Sequence, residues 1–85
     1  MYYVYILYSP KTKKYYTGST QDLEGRLYHH NQGLTLSTKS GAPHWEIRYF
    51  EEYEDRTAAL KREYEIKKKK SRKYIEWLFD QGSIG

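Results

Sequence analysis

Five side chains in the sequence are of the types that move protons, hold anions or bind cations. They are Tyr5, Tyr16, Arg26, His30 and Glu63. A phenol, a guanidinium, an imidazole and a carboxylate are together the groups that hydrolysis of a phosphodiester bond requires, because the reaction needs a proton acceptor, a partner for the phosphate charge and a ligand for a divalent cation. The elements that carry these residues decide whether they can meet.

Arg26 and His30 lie one turn apart on a helix that the sequence predicts from about Gln21 to Gln32. With helical periodicity, both fall at the edge of the apolar stripe that Leu23 begins. Residues four apart on a helix are neighbours. The guanidinium and the imidazole are therefore expected side by side, close to the core.

Glu63 is the unusual residue of the second predicted helix. Ala59, Glu63 and Ile66 are spaced as one face of a helix, so the carboxylate is expected inside an apolar stripe. A carboxylate is costly there unless it is paired or binds a metal ion. The structural alternative is an ion pair between Arg26 and Glu63 that joins two helices and has no catalytic role.

The first half of the sequence predicts a β-hairpin. The segment from Tyr2 to Tyr8 is β-branched and aromatic, with Val4 and Ile6 on one face and Tyr3, Tyr5 and Leu7 on the other. It predicts a strand that is buried on both sides. Turn residues 9–14 follow, and a second strand is expected from Tyr15 to Gly18.

The remainder predicts one strand and three helices, which gives the order β-β-α-β-α-α and an α+β class. Ser19-Thr20 is expected to cap the first helix, and residues 33–44 form a long loop. The third strand is expected from Trp45 to Tyr53, with Trp45, Ile47 and Tyr49 on one face. The caps and inward residues expected for the last two helices are as follows: Asp55 for a helix to about Lys69, and Ser71 for a helix that ends at Gly82 with Ile75, Leu78 and Phe79 facing the core.

The composition bounds the core and the class of protein. The chain has 85 residues, no cysteine, and a hydrophobic fraction of 38% that includes 11 tyrosines. Typical domains are roughly 45–50% apolar, so several tyrosines must be buried with partners for their hydroxyl groups. The tyrosines assigned to core edges and the surface are Tyr2, Tyr8, Tyr49, Tyr53, Tyr64 and Tyr74. We expect one domain over residues 1–85, in the cytoplasm and without a membrane span.

Positive charge is concentrated near the end of the chain. The net charge is +4, but residues 61–73 contain eight basic and two acidic side chains, so the rest of the chain is slightly negative. A basic segment of this kind attracts polyanions, and nucleic acid first among them. We expect Lys67, Lys70 and Arg72 to contact substrate. The alternative is a solvated helix end whose lysines complement the helix dipole.

The residues above match the motifs of a known family. Tyr3-Val4-Tyr5, Tyr16-Thr17-Gly18, Arg26 and Glu63 occur in an order that resembles the GIY-YIG nuclease domain. The resemblance covers nearly the whole chain and is closest to small stand-alone bacterial proteins similar to the N-terminal nuclease domain of excinuclease ABC. It implies a three-stranded antiparallel sheet flanked by helices.

The resemblance also implies roles for the catalytic side chains. Tyr16 would activate or orient the attacking water, and Tyr5 would contact the scissile phosphate. Arg26 would clamp that phosphate, and Glu63 would ligate a single Mg²⁺ or Mn²⁺ ion. His30 would pass on the proton of the base.

Two smaller residues are implied in substrate binding. Gly18 would let the backbone approach the substrate closely. Ser19 stands where excinuclease members carry a lysine, so it would offer the substrate a hydroxyl in place of a cation.

The function that follows is a metal-dependent endonuclease that hydrolyses DNA, with RNA left open and a role in repair or recombination. A protein partner or a homo-oligomer would supply the targeting. The alternatives are a non-catalytic nucleic-acid-binding module with the same fold, and a protein interaction domain in which Arg26 and Glu63 form only a buried pair.

Overall fold

The fold is a three-stranded antiparallel sheet with helices on both faces, which confirms the predicted class and element order. It is seen in a computed structural model that describes residues 1–81. The strands are β1 (Tyr2–Ser9), β2 (Lys14–Thr20) and β3 (Glu46–Tyr53). The helices are α1 (Leu23–Asn31), a 3-10 helix (Leu36–Gly41), α2 (Arg56–Lys69) and α3 (Arg72–Asp80). None of the helices in this part of the chain is long and apolar enough to cross a bilayer.

The central strand β1 is buried on both faces, as its sequence predicts. The sheet order is β2-β1-β3. Val4 and Ile6 pack on one face against residues of α2 and α3, and Tyr5 and Leu7 pack on the other face with Trp45. The two cores are therefore separated by one strand, and side chains that must meet across the sheet have to do so around an edge.

The predicted faces of β3 are wrong at Tyr49. Ile6 pairs with Tyr49 and Leu7 with Ile47, so Arg48 is an extra residue in the ladder. This β-bulge interrupts the alternation, which sends Tyr49 to the α2 face and leaves Ile47 with Trp45 on the other. Tyr49 is consequently a core residue, only 4% exposed, and not the edge residue that was expected.

Strand β2 is longer, and helix α1 starts later, than the sequence predicts. β2 continues past Gly18 to Thr20, and the cap of α1 is Asp22, whose carboxylate accepts a hydrogen bond from the Gly25 N–H at 3.0 Å. A Cβ atom at Gly25 would collide with that carboxylate. The strand therefore keeps Ser19 in the sheet, where its side chain faces α2 and does not cap α1.

The starts of α2 and α3 are as predicted. The Asp55 carboxylate accepts from the Ala58 N–H at 2.7 Å, and the Ser71 hydroxyl accepts from the Tyr74 N–H at 3.1 Å. Between them Lys70 ends α2 in the left-handed region, with φ of 49°. The inward residues of α3 are as expected, namely Ile75, Leu78 and Phe79. Its predicted end at Gly82 lies outside the described residues.

The long loop contains the 3-10 helix and is fixed to the sheet. Asn31 brackets the backbone of Trp45, donating to its carbonyl at 2.9 Å and accepting from its N–H at 2.7 Å. The Trp45 indole donates to the Thr38 carbonyl at 2.7 Å, and Ser9 donates to the Gly41 carbonyl at 2.9 Å. These bonds make the loop a rigid support for whatever it carries.

A partly buried polar network joins β3 to α2 and α3. Arg62 donates to both oxygens of Glu51, at 2.9 and 3.1 Å, and to the Tyr74 hydroxyl at 3.2 Å. The hydroxyl groups of Tyr53 and Tyr49 also donate to Glu51. Although burial opposes ionisation, the hydrogen bonds from Arg62 and the two phenols prevail and lower the pKa of Glu51.

We predict that Glu51→Gln destabilises the fold by about 1–3 kcal/mol at pH 7, because Arg62 then loses a charged partner. A carboxyl group whose pKa is lowered by folding stabilises the fold above its usual pKa of 4.5, and that contribution is lost as the pH falls through the lowered value. Urea unfolding followed by circular dichroism should show a gap between the two proteins that narrows below that pH. A gap that stays constant down to pH 3 would contradict the ionic role of Glu51.

Candidate active site

A buried chain of hydrogen bonds runs from the middle of the sheet to the 3-10 helix. The Tyr5 hydroxyl lies 3.1 Å from His30 Nε2, and His30 Nδ1 lies 2.8 Å from Thr38 Oγ1. Thr38 in turn donates to the Thr35 carbonyl at 3.4 Å. Tyr5, His30 and Thr38 are each no more than 2% exposed. Residues from β1, α1 and the long loop thus share one polar core.

The order of donors along this chain follows from Thr38. Its hydroxyl has one proton, which goes to the Thr35 carbonyl, so Thr38 Oγ1 accepts from His30 Nδ1–H. His30 Nε2 then carries no proton and accepts from the Tyr5 hydroxyl. His30 is therefore neutral, with both ring nitrogens satisfied by the protein.

The pKa values of the two titratable groups agree with this order. Burial, followed by the charges of Arg26 and His29, lowers the pKa of His30 to about 4. Burial, the neighbouring Tyr16 and the Glu63 charge raise the pKa of Tyr5, while Arg26 acts in the opposite direction. Both groups are neutral at physiological pH. A proton reaches His30 from the site only by way of Tyr5.

Gly18 makes room for the Tyr5 phenol. Gly18 and Tyr5 are directly opposite each other in the β1–β2 ladder. A Cβ atom on Gly18 would lie 2.5 Å from the Tyr5 oxygen and 3.2 Å from the Tyr16 ring. The glycine was expected to admit substrate, but the group that occupies the space beside it is the phenol that reaches across to His30.

Tyr16 is the more accessible of the two phenols. Its ring centroid is 4.9 Å from that of His30 and 6.4 Å from that of Tyr5, and its side chain is half-buried. The Lys67 ammonium lies 5.8 Å from the ring centroid. Tyr16 therefore stands between the neutral polar core and a cation on α2.

Glu63 lies on the opposite face of the sheet with two partners. Its carboxylate accepts from the Ser19 hydroxyl at 2.6 Å and pairs with Lys67 at 2.6 Å, and its side chain is 18% exposed. The Arg26–Glu63 ion pair, the structural alternative drawn from the sequence, is not formed. Lys67 and Ser19 satisfy the half-buried carboxylate in its place.

The predicted site residues meet around the edge of β2. Tyr16 and Gly18 face the α1 side of this strand, and Ser19 faces the α2 side. Glu63 influences the pKa of Tyr5 although the two lie on different faces. An edge strand permits this because no further strand separates the groups that reach around it. The site is thus an open surface at the border of the sheet.

Arg26 is exposed and ready to bind an anion. It has no hydrogen-bond or ion-pair partner within residues 1–81, yet it lowers the pKa of both Tyr5 and His30, so its charge acts on the site. The pocket it lines beside Ser19 and Thr20 has a volume of about 260 Å³. An unpaired guanidinium at such a pocket suits a phosphate group, which it can bind through two parallel hydrogen bonds.

The predicted basic contacts form a second pocket beside the site. Lys67, Lys70 and Arg72 line it together with Lys14, and its volume is about 290 Å³. Arg72 is anchored there, because it donates to the Lys13 carbonyl at 2.8 Å and lies over the Tyr15 ring.

Two residues of the site were missed by the sequence reasoning. Thr38 orients His30, and the only hint of it was the unusual length of the loop. Arg56 lines the same pocket as Arg26, and nothing in the sequence pattern distinguished it from other exposed basic residues.

Divalent-metal ligation at this site is limited to one acidic residue. No group of three or more His, Cys, Asp or Glu side chains that could hold a metal ion occurs within residues 1–81. Glu63 alone fits a Mg²⁺ ion that keeps most of its waters and takes further ligands from phosphate, provided that the Lys67 ammonium moves aside. The residues therefore fit attachment through a single carboxylate.

Comparisons with known proteins agree with this arrangement. The pattern of a family described as the GIY-YIG catalytic domain matches residues 1–75. A UPF0213 protein of Clostridium perfringens is 43% identical over 80% of this chain and 72% of its own length. UPF0213 proteins of Haloquadratum walsbyi and Halobacterium salinarum are 39% and 34% identical, over 73% and 86% of their lengths and 78% and 79% of this chain. These relatives are UPF0213 proteins and not excinucleases, and no solved structure matches significantly.

We predict that His30 titrates with a midpoint of about 4. Its pKa in the unfolded chain is near 6.5, so the stability that neutral His30 provides is complete above that pH and is lost as the pH falls towards 4. NMR titration of the ring protons and urea unfolding at several pH values measure the two effects. His30→Gln should flatten the decline in stability, whereas His44→Gln in the exposed loop should not. A His30 midpoint near 6.5 would refute the proposed hydrogen-bond order.

We predict that Gly18→Ala destabilises the protein by about 1–3 kcal/mol, because the new methyl group displaces the Tyr5 phenol. Loss of that phenol from His30 should also raise the titration midpoint of His30 towards 6.5. Gly25→Ala is the matched control, since it crowds only the Asp22 cap and should leave the His30 midpoint unchanged. An unaltered His30 midpoint in Gly18→Ala would show that Gly18 does not seat the phenol.

Proposed function

Because the chain belongs to the GIY-YIG catalytic-domain family, we propose that it is an endonuclease that hydrolyses DNA phosphodiester bonds. The observation that carries this proposal is the meeting of Tyr16, the unpaired Arg26 and the half-buried Glu63 around the edge of β2. These groups face an open surface flanked by basic pockets, which a nucleic-acid backbone can reach.

Arg26 binds the scissile phosphate in this proposal. Its guanidinium is permanently charged and unpaired within residues 1–81, so binding a phosphate breaks no existing ion pair. Negative charge grows on the phosphate oxygens as water attacks. A cation held in place beforehand stabilises that charge without reorganising.

Tyr16 orients or deprotonates the attacking water, and Tyr5 supports it. Tyr5 is buried and donates its only proton to His30, so its oxygen offers lone pairs and no hydrogen to the site. Tyr16 is half-buried, and its hydroxyl is the one that solvent can approach. His30 and Thr38 keep the Tyr5 ring in position behind it.

Glu63 would hold the divalent cation, Mg²⁺ or Mn²⁺, whose charge lowers the cost of negative charge on the phosphate. Ser19 fixes one carboxylate oxygen by its hydrogen bond. Lys67 is paired with the other, and when it is released its ammonium lies close enough to contact a phosphate. Lys70 and Arg72 add contacts that carry affinity without sequence information.

The natural target and setting follow the same reasoning. We propose DNA as the substrate, with RNA as an alternative that the same backbone contacts would accept, and cytoplasmic repair or recombination as the setting. The likeness of the motif order to the nuclease domain of excinuclease ABC motivates this role. A partner protein or a second copy of the chain would select the site of cleavage.

A non-catalytic nucleic-acid-binding module is the second candidate, and the Lys67–Glu63 ion pair is the observation that favours it. The ammonium lies 2.6 Å from the carboxylate that a metal ion would need. A chain in which this pair persisted would bind the backbone without cutting it.

We predict that the protein nicks plasmid, branched or single-stranded DNA in Mg²⁺ or Mn²⁺, and that a chelator stops the reaction. Glu63→Gln, Arg26→Gln and Tyr16→Phe should each lower the rate about 10²-fold or more, because each removes charge stabilisation or water activation. Glu65→Gln is the matched control, since Glu65 lies on the same helix, is 53% exposed and pairs only with Arg62. Gel assays of nicked product measure the rates.

The outcomes separate the two candidate functions. Cleavage that survives in Glu63→Gln at the wild-type rate would exclude the proposed site. DNA binding without cleavage in every metal and substrate would support the binding module instead.

A further inference from the structure

We propose that Arg26 and Arg56 together form a phosphate-binding pocket beside the reaction centre, so that a nucleic-acid strand in the groove between β2 and α2 is held on both sides of Glu63. The inference rests on the proposed phosphodiester substrate and identifies the contacts that hold its backbone. Arg56, at the start of α2, is the new substrate-binding residue.

The pocket is built from three elements. Arg26 comes from α1, Arg56 and Leu60 come from α2, and Ser19 and Thr20 come from the end of β2. Its volume of about 260 Å³ is lined by two guanidinium side chains and by no acidic residue. Like charges in one pocket repel each other, and an anion relieves that repulsion.

The pairing of the five arginines distinguishes these two. Arg48 pairs with Glu46, Arg62 with Glu51, and Arg72 with Glu76. Arg26 and Arg56 have no hydrogen-bond or ion-pair partner within residues 1–81. The two unpaired guanidinium groups are the two that line the same pocket.

The nearest acid in sequence is already in use. Asp55 precedes Arg56, but its carboxylate accepts the Ala58 N–H at 2.7 Å and caps α2. Arg56 is the first residue of α2, where the partial positive charge of the helix end adds to its own. The pocket therefore has a net positive field that its own residues do not neutralise.

A second basic pocket lies on the other side of Glu63. Lys14 and Thr17 of β2 line it together with Lys67 and Lys70 of α2. Both pockets therefore lie between the same strand and the same helix, one towards each end of the groove. The pair formed by Ser19 and Glu63 lies between them.

The dimensions of the groove suit a continuous backbone. Arg56 and Lys70 each lie seven residues from Glu63 along α2, which corresponds to roughly 10 Å of helix on either side. One strand of B-form DNA rises about 3.4 Å per nucleotide. The groove thus spans about three nucleotides on each side of the scissile phosphate, and a strand that ends at Glu63 would lose one of the two pockets.

The first test measures binding in a chelator, where no cleavage occurs. Fluorescence anisotropy with a labelled DNA oligonucleotide of 12 nucleotides, single-stranded or duplex, gives Kd from 50 to 200 mM NaCl. Arg56→Gln should weaken binding about 3- to 10-fold and reduce the slope of log Kd against log salt by about 0.7–0.9, the loss of one phosphate contact. Arg48→Gln is the matched control on the opposite edge strand and should change neither quantity.

The second test locates the contact along the strand. A neutral methylphosphonate is placed at one phosphate at a time on either side of a defined cleavage position. Wild-type binding and cleavage should weaken at one phosphate on the Arg56 side, and Arg56→Gln should be insensitive to that substitution alone. Thermal unfolding confirms that the variant is folded.

The outcomes test this inference apart from the proposed activity. Arg56→Gln that matches Arg48→Gln in affinity and salt slope would overturn it, and so would a wild-type chain that binds no oligonucleotide at 50 mM NaCl. A reduced slope in a protein that cleaves nothing would support the pocket while refuting the hydrolase.

Discussion

The site depends on one buried hydrogen-bond chain, from the Tyr5 hydroxyl through His30 to Thr38. Burying an imidazole beside a phenol is costly unless both ring nitrogens are satisfied. The chain meets that requirement with residues from three elements, and it thereby fixes α1 and the long loop against β1. Gly18 is part of the same solution, because a larger residue would exclude the phenol from its place.

The two faces of the sheet use carboxylates in different ways. Glu51 is satisfied by Arg62 and two phenols, and this network holds α2 on the sheet. Glu63 is the next residue along α2 after Arg62, so the structural network sets the position of the proposed metal ligand. Glu63 has a hydroxyl and a half-exposed lysine as partners. The first carboxylate is locked by two charged hydrogen bonds, whereas the second can exchange its cation.

The sequence was sufficient for the parts of the fold that follow local rules. The two-sided burial of β1 and the caps at Asp55 and Ser71 could be predicted, because the pattern of side chains and the capping chemistry are both local. The bulge at Arg48 could not, since an extra residue in a ladder depends on packing across the sheet. Thr38 was invisible for a related reason: its partner lies eight residues away, and only the folded loop brings them together.

The edge position of β2 has a further consequence for the behaviour of the protein in solution. An exposed strand edge invites pairing with the same strand of another molecule, and lysine side chains at such an edge are a common protection against it. Lys14 and Lys67 stand beside β2, in the groove that a polyanion would occupy. The same charges that admit nucleic acid would repel a second copy of the strand, so neutralising them would cost solubility as well as affinity.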